Sequence, residues 1–325
     1  MNSRRQFLKT VVAGTAGLGA AATSSSTSAQ ANKNHANPGA AQVDRRRLGR
    51  TEAQVSILGL GLGSAFIGPY DQDREAGRAL LQRALDLGIN YWDTARGYKT
   101  SEEIIGPVVK ANRDKIFLVS KSAARDYDGF MRQVETSLNN LQTDRLDLLH
   151  LHNLKPDRDD LAQMEKGCVR AVHELIDQKV VPHFGISGHS GARFLMNAIE
   201  RFDPDALLSV YPCTRDDEGR YEDELLPLAK KRDMGVIAMK TVRRARNADL
   251  KGTDLIRYAM SLDGIASTIV GLDTLDHLTA NAQMATHFEP LDLAQRETMY
   301  REVSLAVADI PTPWEQPGYR DGVVA

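Results

Sequence analysis

Short apolar runs alternate with amphipathic segments over most of the chain. Eight runs rich in Ile, Val and Leu begin at Val55, Ile89, Ile116, Leu146, His183, Leu207, Gly235 and Ser267. The segments between them, such as REAGRALLQRALDLG, repeat apolar residues at intervals of three and four, which predicts helices. Continuous apolar runs are typical of parallel strands buried on both faces. Eight strand–helix units are the number that closes a barrel, so we predict an α/β fold of the (β/α)8 TIM-barrel type.

The Gly-rich stretch GLGLGS, from Gly59 to Ser64, leaves a second fold open. A doubly wound open sheet would place a phosphate-binding glycine turn after its first strand. Such a turn is weak evidence alone, and we find no acidic residue closing a second strand about 20 residues further on. The number of strand–helix units favours the barrel.

The first 31 residues have the character of an export signal. They carry Arg4, Arg5 and Lys9, no acidic residue, a Gly- and Ala-rich apolar run, and small residues up to Ala31. The apolar run is too short to span about 30 Å of hydrocarbon. Adjacent arginines in SRRQFLK are typical of twin-arginine signals. We therefore expect a signal peptide over residues 1–31, the twin-arginine translocase as a partner, and a periplasmic or secreted protein exported in the folded state.

The remaining chain divides into three predicted parts. Residues 32–44 are polar and aperiodic and predict a linker, residues 45–310 the single-domain barrel, and residues 311–325 a C-terminal surface arm that Trp314 could anchor. The formal charge of −2 becomes more negative without the signal, which argues against nucleic acid and stable membrane association. Cys168 and Cys213 lie in different predicted elements, so we expect buried free thiols.

Ionisable residues follow three consecutive predicted strands. Asp93 ends the second strand and Tyr98 lies in the loop after it, while Lys121 and His152 end the third and fourth strands. Active groups of such barrels collect at the carboxyl ends of the strands, so these four side chains should converge. Taken singly, each has a structural alternative, such as a helix cap for Asp93 or a filled barrel layer for His152.

The chemistry of the four residues is complementary. A tyrosine has an unperturbed pKa of about 10, and a nearby ammonium would lower the pKa of Tyr98 by stabilising the phenolate. Asp93 would keep Lys121 charged and oriented, and His152 could donate a hydrogen bond to a substrate oxygen. The set predicts proton transfer to a carbonyl oxygen or from an alcohol.

The segments INYWDTARGYKTSEEIIG, FLVSKS and LDLLHLH resemble the signature segments of the aldo-keto reductase superfamily, and the resemblance runs from about Leu48 to Met284. It implies the barrel fold, a catalytic tetrad of Asp93, Tyr98, Lys121 and His152 with Tyr98 as proton donor, and an NADP or NAD cofactor. Hydride would pass between the nicotinamide and a small carbonyl or alcohol substrate.

Cofactor positions transfer by resemblance as well. Ser187 in GISGHS would hold the nicotinamide carboxamide, Tyr211 would stack on the ring, Lys240 and Thr241 would meet the pyrophosphate, and Asn281 would meet the adenine. The remaining candidates are Gly63, Ser64, Asp93 and Gly271.

The chain departs from the family pattern at two of these places. Gly188 stands where asparagine is common and cannot donate a side-chain hydrogen bond. His277 stands where arginine binds a 2′-phosphate, and Asp273 could accept a ribose hydroxyl instead, so NAD and NADP both stay open. One of Arg243, Arg244 and Arg246 could clamp a phosphate, or the three could be solvated.

Two alternatives from other classes stay open. A metal-dependent hydrolase could use His150 and His152 with His183, His189 or Asp93 as zinc ligands, although we predict no metal site. A binding protein could keep the barrel with a degenerate reductase site. For the leading hypothesis, scarce free dinucleotide outside the cytoplasm predicts a cofactor bound before export and retained, and the polar loop NLKPDRDD and the location favour a sugar or polyol substrate.

Overall fold

The protein is described by a computed structural model that covers residues 42–189, 191–214, 220–245, 250–316, 319 and 321. The predicted signal peptide over residues 1–31, most of the predicted linker and Arg246 lie outside the described residues.

A short hairpin precedes the barrel. Strand β1 (Arg45–Arg47) pairs antiparallel with β2 (Gln54–Ser56). Leu48 and Val55 are fully buried against the apolar residues of the barrel interior. Gly49 adopts a left-handed φ of +49°, and a Cβ on it would lie 2.2 Å from the backbone nitrogen of Gly235. The hairpin therefore covers the amino-terminal ends of the barrel strands, and our prediction of a barrel strand from Val55 was wrong at its start.

Eight parallel strands close into the predicted barrel. They are β3 (Leu58–Gly61), β4 (Tyr91–Asp93), β5 (Phe117–Ser122), β6 (Leu148–Leu151), β7 (His183–Ser187), β8 (Ala206–Val210), β9 (Gly235–Met239) and β10 (Ile265–Val270). Each strand pairs with its sequence neighbours, and β10 returns to pair with β3. The predicted (β/α)8 architecture is confirmed.

Helices surround the barrel. They span Ser64–Tyr70, Arg74–Asp86, Ser101–Asn112, Tyr127–Leu141, Leu161–Met164, Arg170–Asp177, Ala192–Phe202, Leu226–Lys231, Gly252–Met260, Leu275–Thr286 and Leu293–Ala306. There are also two π-helical turns: Glu165–Val169 joins the helices Leu161–Met164 and Arg170–Asp177, and Tyr221–Leu225 directly precedes Leu226–Lys231. None of the helices in the described part of the chain is long and apolar enough to cross a membrane.

Apolar residues form two layers of core. One layer lies inside the barrel and includes Tyr91, Val119 and Leu148, and a larger layer lies between the strands and the helices. Trp314 is buried against the interior layer, so it does anchor the C-terminal arm. Both cysteines are buried and free, as expected.

Candidate active site at the carboxyl ends of the strands

The register of the central strands brings the four predicted catalytic residues together. Asp93 is the last residue of β4, and Lys121 in β5 pairs with His150 of β6, which places His152 just beyond the strand end. Tyr98 lies in the loop after β4. All four side chains are buried, with relative exposures between 1% and 7%.

Lys121 connects three of the four. Its Nζ donates to Asp93 Oδ1 at 2.5 Å and to the carbonyl oxygen of Thr94 at 2.8 Å. The same ammonium lies 3.5 Å from Tyr98 Oη, within hydrogen-bond distance. The ring of His152 packs edge-on against that of Tyr98, with the centroids 5.5 Å apart. These contacts can hold the phenol beside an ammonium and an imidazole.

The loop that carries Tyr98 is held by a buried carboxylate that sequence reasoning missed. Glu102 is fully buried, pairs with Arg96, and accepts a hydrogen bond from Ser120 Oγ at 2.9 Å. Ser101 Oγ donates to the carbonyl oxygen of Leu62 at 2.6 Å. The signal was present in the segment SEEIIG, but sequence alone does not show which of its two glutamates faces inward.

A second charge pair holds the loop after β6. Arg125 donates to Asp159 Oδ1 at 3.0 Å and to the carbonyl oxygen of His152 at 2.8 Å. Burial would raise the pKa of Asp159, but hydrogen bonds from Arg158 and Arg125 lower it to about 2. The ionised Asp159 therefore keeps Arg125 in place on the backbone of His152.

Tyr319 and Asp321 of the C-terminal arm lie in the site, which corrects our expectation of a surface location for these residues. Asp321 Oδ2 lies 3.2 Å from Tyr98 Oη and 3.1 Å from His152 Nε2. Its other oxygen, Oδ1, accepts from Lys240 Nζ at 2.6 Å and from Tyr319 Oη at 3.1 Å. The carboxylate of Asp321 thus bridges the catalytic residues and Lys240.

The pKa values define the donors at this carboxylate. Burial would raise the pKa of Asp321, but Lys240 and the hydrogen bond from His152 hold it well below its usual range. Burial lowers the pKa of His152, an effect that Asp321 partly opposes. An ionised carboxylate only accepts hydrogen bonds, so the neutral His152 donates through Nε2 and Tyr98 donates through its hydroxyl.

The pKa of Tyr98 is raised well above its ordinary value, because the phenol is buried and the carboxylates of Asp321 and Asp93 lie close to it. The net shift of the Tyr98 pKa is therefore opposite to the lowering that we expected from Lys121. Burial also raises the pKa of Asp93, to about 6, against the opposing effect of Lys121.

The predicted carboxamide position lies at the end of β7. Ser187 Oγ accepts from the backbone nitrogen of Asn153 at 2.9 Å, so this hydroxyl also orders the loop after β6. A Cβ on Gly188 would lie 2.8 Å from Leu195 Cδ2, which leaves little room for an asparagine. The next residue, His189, is buried, and neither ring nitrogen has a hydrogen-bond partner among the described residues. Sequence reasoning considered His189 only as a metal ligand.

Lys240 lies in the catalytic centre. It directly follows β9 with a left-handed φ of +60°, and its Nζ donates to Tyr319 Oη at 2.8 Å as well as to Asp321. Thr241 beside it is buried. The guanidinium of Arg243 stacks over the ring of Tyr319 at 5.2 Å from its centroid, and Arg244 Nε donates to the carbonyl oxygen of Ile310.

The remaining cofactor candidates lie at strand ends or on the last barrel helix. Gly63 packs against Tyr98, since a Cβ there would be 3.3 Å from the phenol ring, and Ser64 begins the next helix. Gly271 follows β10, and a Cβ on it would lie 2.7 Å from that of Ala65. Asn281 is buried in the helix Leu275–Thr286. Tyr211 follows β8 and is fully buried.

Two further predictions concern charge and metals. Asp273 pairs with His277 Nδ1 at 2.5 Å, so the two residues that distinguish this segment from the family pattern contact each other.

The described residues contain no group of three or more His, Cys, Asp or Glu side chains that could hold a metal ion. The hydrolase alternative thus has no ligand cluster in this part of the chain.

Comparison with known proteins agrees with this geometry. The aldo/keto reductase family matches residues 57–254, and the chain belongs to this family of oxidoreductases. L-galactose dehydrogenase of Arabidopsis thaliana is 26% identical over 300 residues, which cover 78% of this chain and 92% of that protein.

Solved structures show the same fold. An aldo-keto reductase of Bacillus halodurans in its holo form superposes with a TM-score of 0.68 at 23% identity, covering 81% of this chain and 96% of that one. An aldo/keto reductase of Klebsiella pneumoniae, in complex with NADP and acetate, superposes with a TM-score of 0.66 at 22% identity over 80% and 95% of the two chains.

Proposed function

We propose that the protein is an exported aldo-keto reductase that transfers hydride between NADP or NAD and a sugar-like alcohol or carbonyl compound, with Tyr98 as general acid and base. One observation carries this proposal. Lys121 Nζ donates to Tyr98 Oη, and that hydroxyl donates onward to an oxygen atom that His152 Nε2 also contacts.

A substrate oxygen in the position of Asp321 Oδ2 would receive hydrogen bonds from both Tyr98 and His152. Tyr98 would give its proton to that oxygen in reduction and take it back in oxidation. Lys121 stabilises the phenolate formed on proton loss, and Asp93 orients Lys121. General acid–base catalysis by such a positioned group contributes about 10²–10⁴-fold to the rate.

A bound nicotinamide dinucleotide supplies or accepts the hydride. The chain offers a donor set for it, because the imidazole of His189, which has no hydrogen-bond partner among the described residues, can provide the hydrogen bond that Gly188 lacks. The further cofactor-binding candidates from the sequence are Ser187, Tyr211, Thr241, Gly63, Ser64, Gly271 and Asn281. Arg243 favours a phosphate, whereas Asp273 favours a ribose hydroxyl, so we propose NADP or NAD without a preference.

The proposed substrate is a small hydroxylated molecule. L-galactose dehydrogenase, whose name specifies a sugar, matches over most of its length. The loop after β6, which follows His152 at the site, is rich in polar residues. Hydroxylated ligands need such donors and acceptors.

We propose the periplasm or the exterior as the location, reached through the twin-arginine translocase, because residues 1–31 match that type of signal. The dinucleotide would bind before export and stay bound, with one substrate oxidised and another reduced. Mass spectrometry of the native exported protein after denaturation is expected to detect released dinucleotide. Its absence would contradict cofactor retention but not the reductase chemistry.

The reductase chemistry is tested by replacing the ammonium. Lys121→Met should lower kcat by about 10²–10⁴-fold while dinucleotide affinity changes little, because Lys121 acts on Tyr98 rather than on the cofactor. Lys110→Met, at an exposed helix position, is the matched control. Equal turnover in the two variants, measured by reduced-nicotinamide absorbance with a panel of aldoses, would refute the proposed role.

A further inference from the structure

The carboxylate of Asp321 places two oxygen atoms in the site, one more than a single carbonyl group would. One of its oxygens contacts Tyr98 Oη and His152 Nε2, and the other contacts Lys240 Nζ at 2.6 Å. The two oxygens are attached to one carbon. The site therefore accommodates an O–C–O unit with each oxygen on a different set of donors.

The contacts around Asp321 Oδ1 involve buried and half-buried side chains. Lys240 adopts a left-handed backbone conformation that a non-glycine residue rarely takes, and its side chain is only 8% exposed. Tyr319 accepts from Lys240 and donates to Asp321, and His189 Nε2 lies 3.8 Å from the same Asp321 oxygen. A strained backbone that aims a cation into a site is a feature that function commonly explains.

Lys240 restricts which ligands fit. An ammonium has three donors and no acceptor, so the atom beside it must be an acceptor oxygen. A simple aldehyde or ketone has only one oxygen, which Tyr98 and His152 take. It would leave the buried ammonium of Lys240 with only Tyr319 Oη as an acceptor among the described residues, and a buried charge with too few hydrogen-bond partners is costly.

We propose that Tyr98, His152 and Lys240 together recognise two oxygens carried on one carbon, as in a cyclic hemiacetal sugar or its lactone, and that Asp321 occupies this site as an intramolecular competitor. This inference rests on the proposed function and names its substrate class. The hydroxyl or carbonyl oxygen of the anomeric carbon lies against Tyr98 and His152, and the ring oxygen, which is only an acceptor, lies against Lys240. Lys240 is thus a specificity-determining residue.

Calorimetric titration with two probes tests the proposal. Acetate presents the charged form of the O–C–O unit, and a 1,4-aldonolactone presents the neutral form. Asp321→Ala should bind both probes at least about tenfold more tightly than the wild type, since removing a competitor raises the fraction of binding-competent protein. Asp309→Asn, which changes an exposed acid outside the site, should match the wild type.

A second variant tests Lys240. Asp321→Ala combined with Lys240→Met should lose the gain for both probes. Unchanged affinity in Asp321→Ala, or affinity retained without Lys240, would overturn the proposal. Tight acetate binding without lactone binding would overturn the hemiacetal assignment, because the site would then select carboxylates. These titrations need no turnover, so they can fail while the Lys121→Met result upholds the reductase, and the reverse also holds.

Discussion

At the scale of single residues, the site depends on buried charges that hold each other in place. Lys121 is 1% exposed, and its Nζ donates to Asp93 and to the carbonyl oxygen of Thr94. Buried charges are tolerated only when paired and hydrogen-bonded. The same rule applies to Glu102, which supports the loop of Tyr98.

Replacing Glu102 should therefore lower the free energy of unfolding more than replacing the adjacent Glu103. Glu102→Gln removes the charge that pairs with Arg96, and we expect the free energy of unfolding to fall by about 1–3 kcal/mol. Glu103→Gln changes the adjacent, largely exposed glutamate and should cost less than about 1 kcal/mol. Urea unfolding of both variants measures the difference, and equal losses would contradict the buried role of Glu102.

Sequence could predict which catalytic residues meet, because each follows a strand and parallel strands end at one face of a barrel. It could not predict Asp321, which lies 169 positions after His152. No hydrophobic pattern in the sequence indicates that Asp321 contacts the catalytic residues. The pKa of Tyr98 was mispredicted for the same reason, since burial and the unseen carboxylate outweigh Lys121.

At the scale of elements, close packing of helices around the barrel sets strict limits on side-chain size. A Cβ on Gly106 would lie 2.2 Å from the carbonyl oxygen of Asn140, so the helix Ser101–Asn112 contacts the helix Tyr127–Leu141 at this glycine. This contact fixes the helix that begins directly after the Tyr98 loop.

Gly106→Ala should consequently destabilise the protein, although alanine favours helices. We expect a loss of about 1–3 kcal/mol from overpacking. Gly68→Ala, in a helix with open space around the glycine, should instead gain about 0.5–1 kcal/mol. Thermal unfolding that shifts both variants in the same direction would contradict this assignment.

The strength of local patterns explains which elements were predicted. The strands His183–Ser187 and Gly235–Met239 match their apolar runs residue for residue. The run from Val55 contains parts of two strands, because the chain leaves the hairpin at Ser56 and enters the barrel at Leu58. After β6, the π-helical turn Glu165–Val169 separates the helices Leu161–Met164 and Arg170–Asp177. At Gly167 a Cβ would lie 2.2 Å from the carbonyl oxygen of Arg125.

At the scale of the whole molecule, three buried histidines make stability depend on pH. Burial lowers the pKa of His150 and His152, and it lowers that of His189 to about 3. Below about pH 6.5 these three histidines bind protons in the unfolded chain but stay neutral in the folded protein. The free energy of unfolding therefore falls as the pH falls. Asp93, with a pKa raised to about 6, acts in the opposite sense and offsets part of the loss.

We expect the free energy of unfolding to drop between pH 7 and pH 5, with His189, whose pKa is lowered to about 3, contributing about 2 kcal/mol of the drop. His189→Asn should remove the contribution of His189 to this drop, because the variant has one titrating group fewer. Urea unfolding at several pH values measures both quantities. A free energy that stays constant or rises over this interval would show that the three histidines are not buried in the neutral form.

In the proposed reaction, the hydroxyl of Tyr98, held beside Lys121, carries the transferred proton. Single-turnover measurement of hydride transfer in Tyr98→Phe, alongside calorimetric dinucleotide binding to the same variant, tests it most directly. We predict a rate lowered by at least about 10²-fold with dinucleotide binding nearly unchanged. Hydride transfer at the wild-type rate in Tyr98→Phe would contradict it.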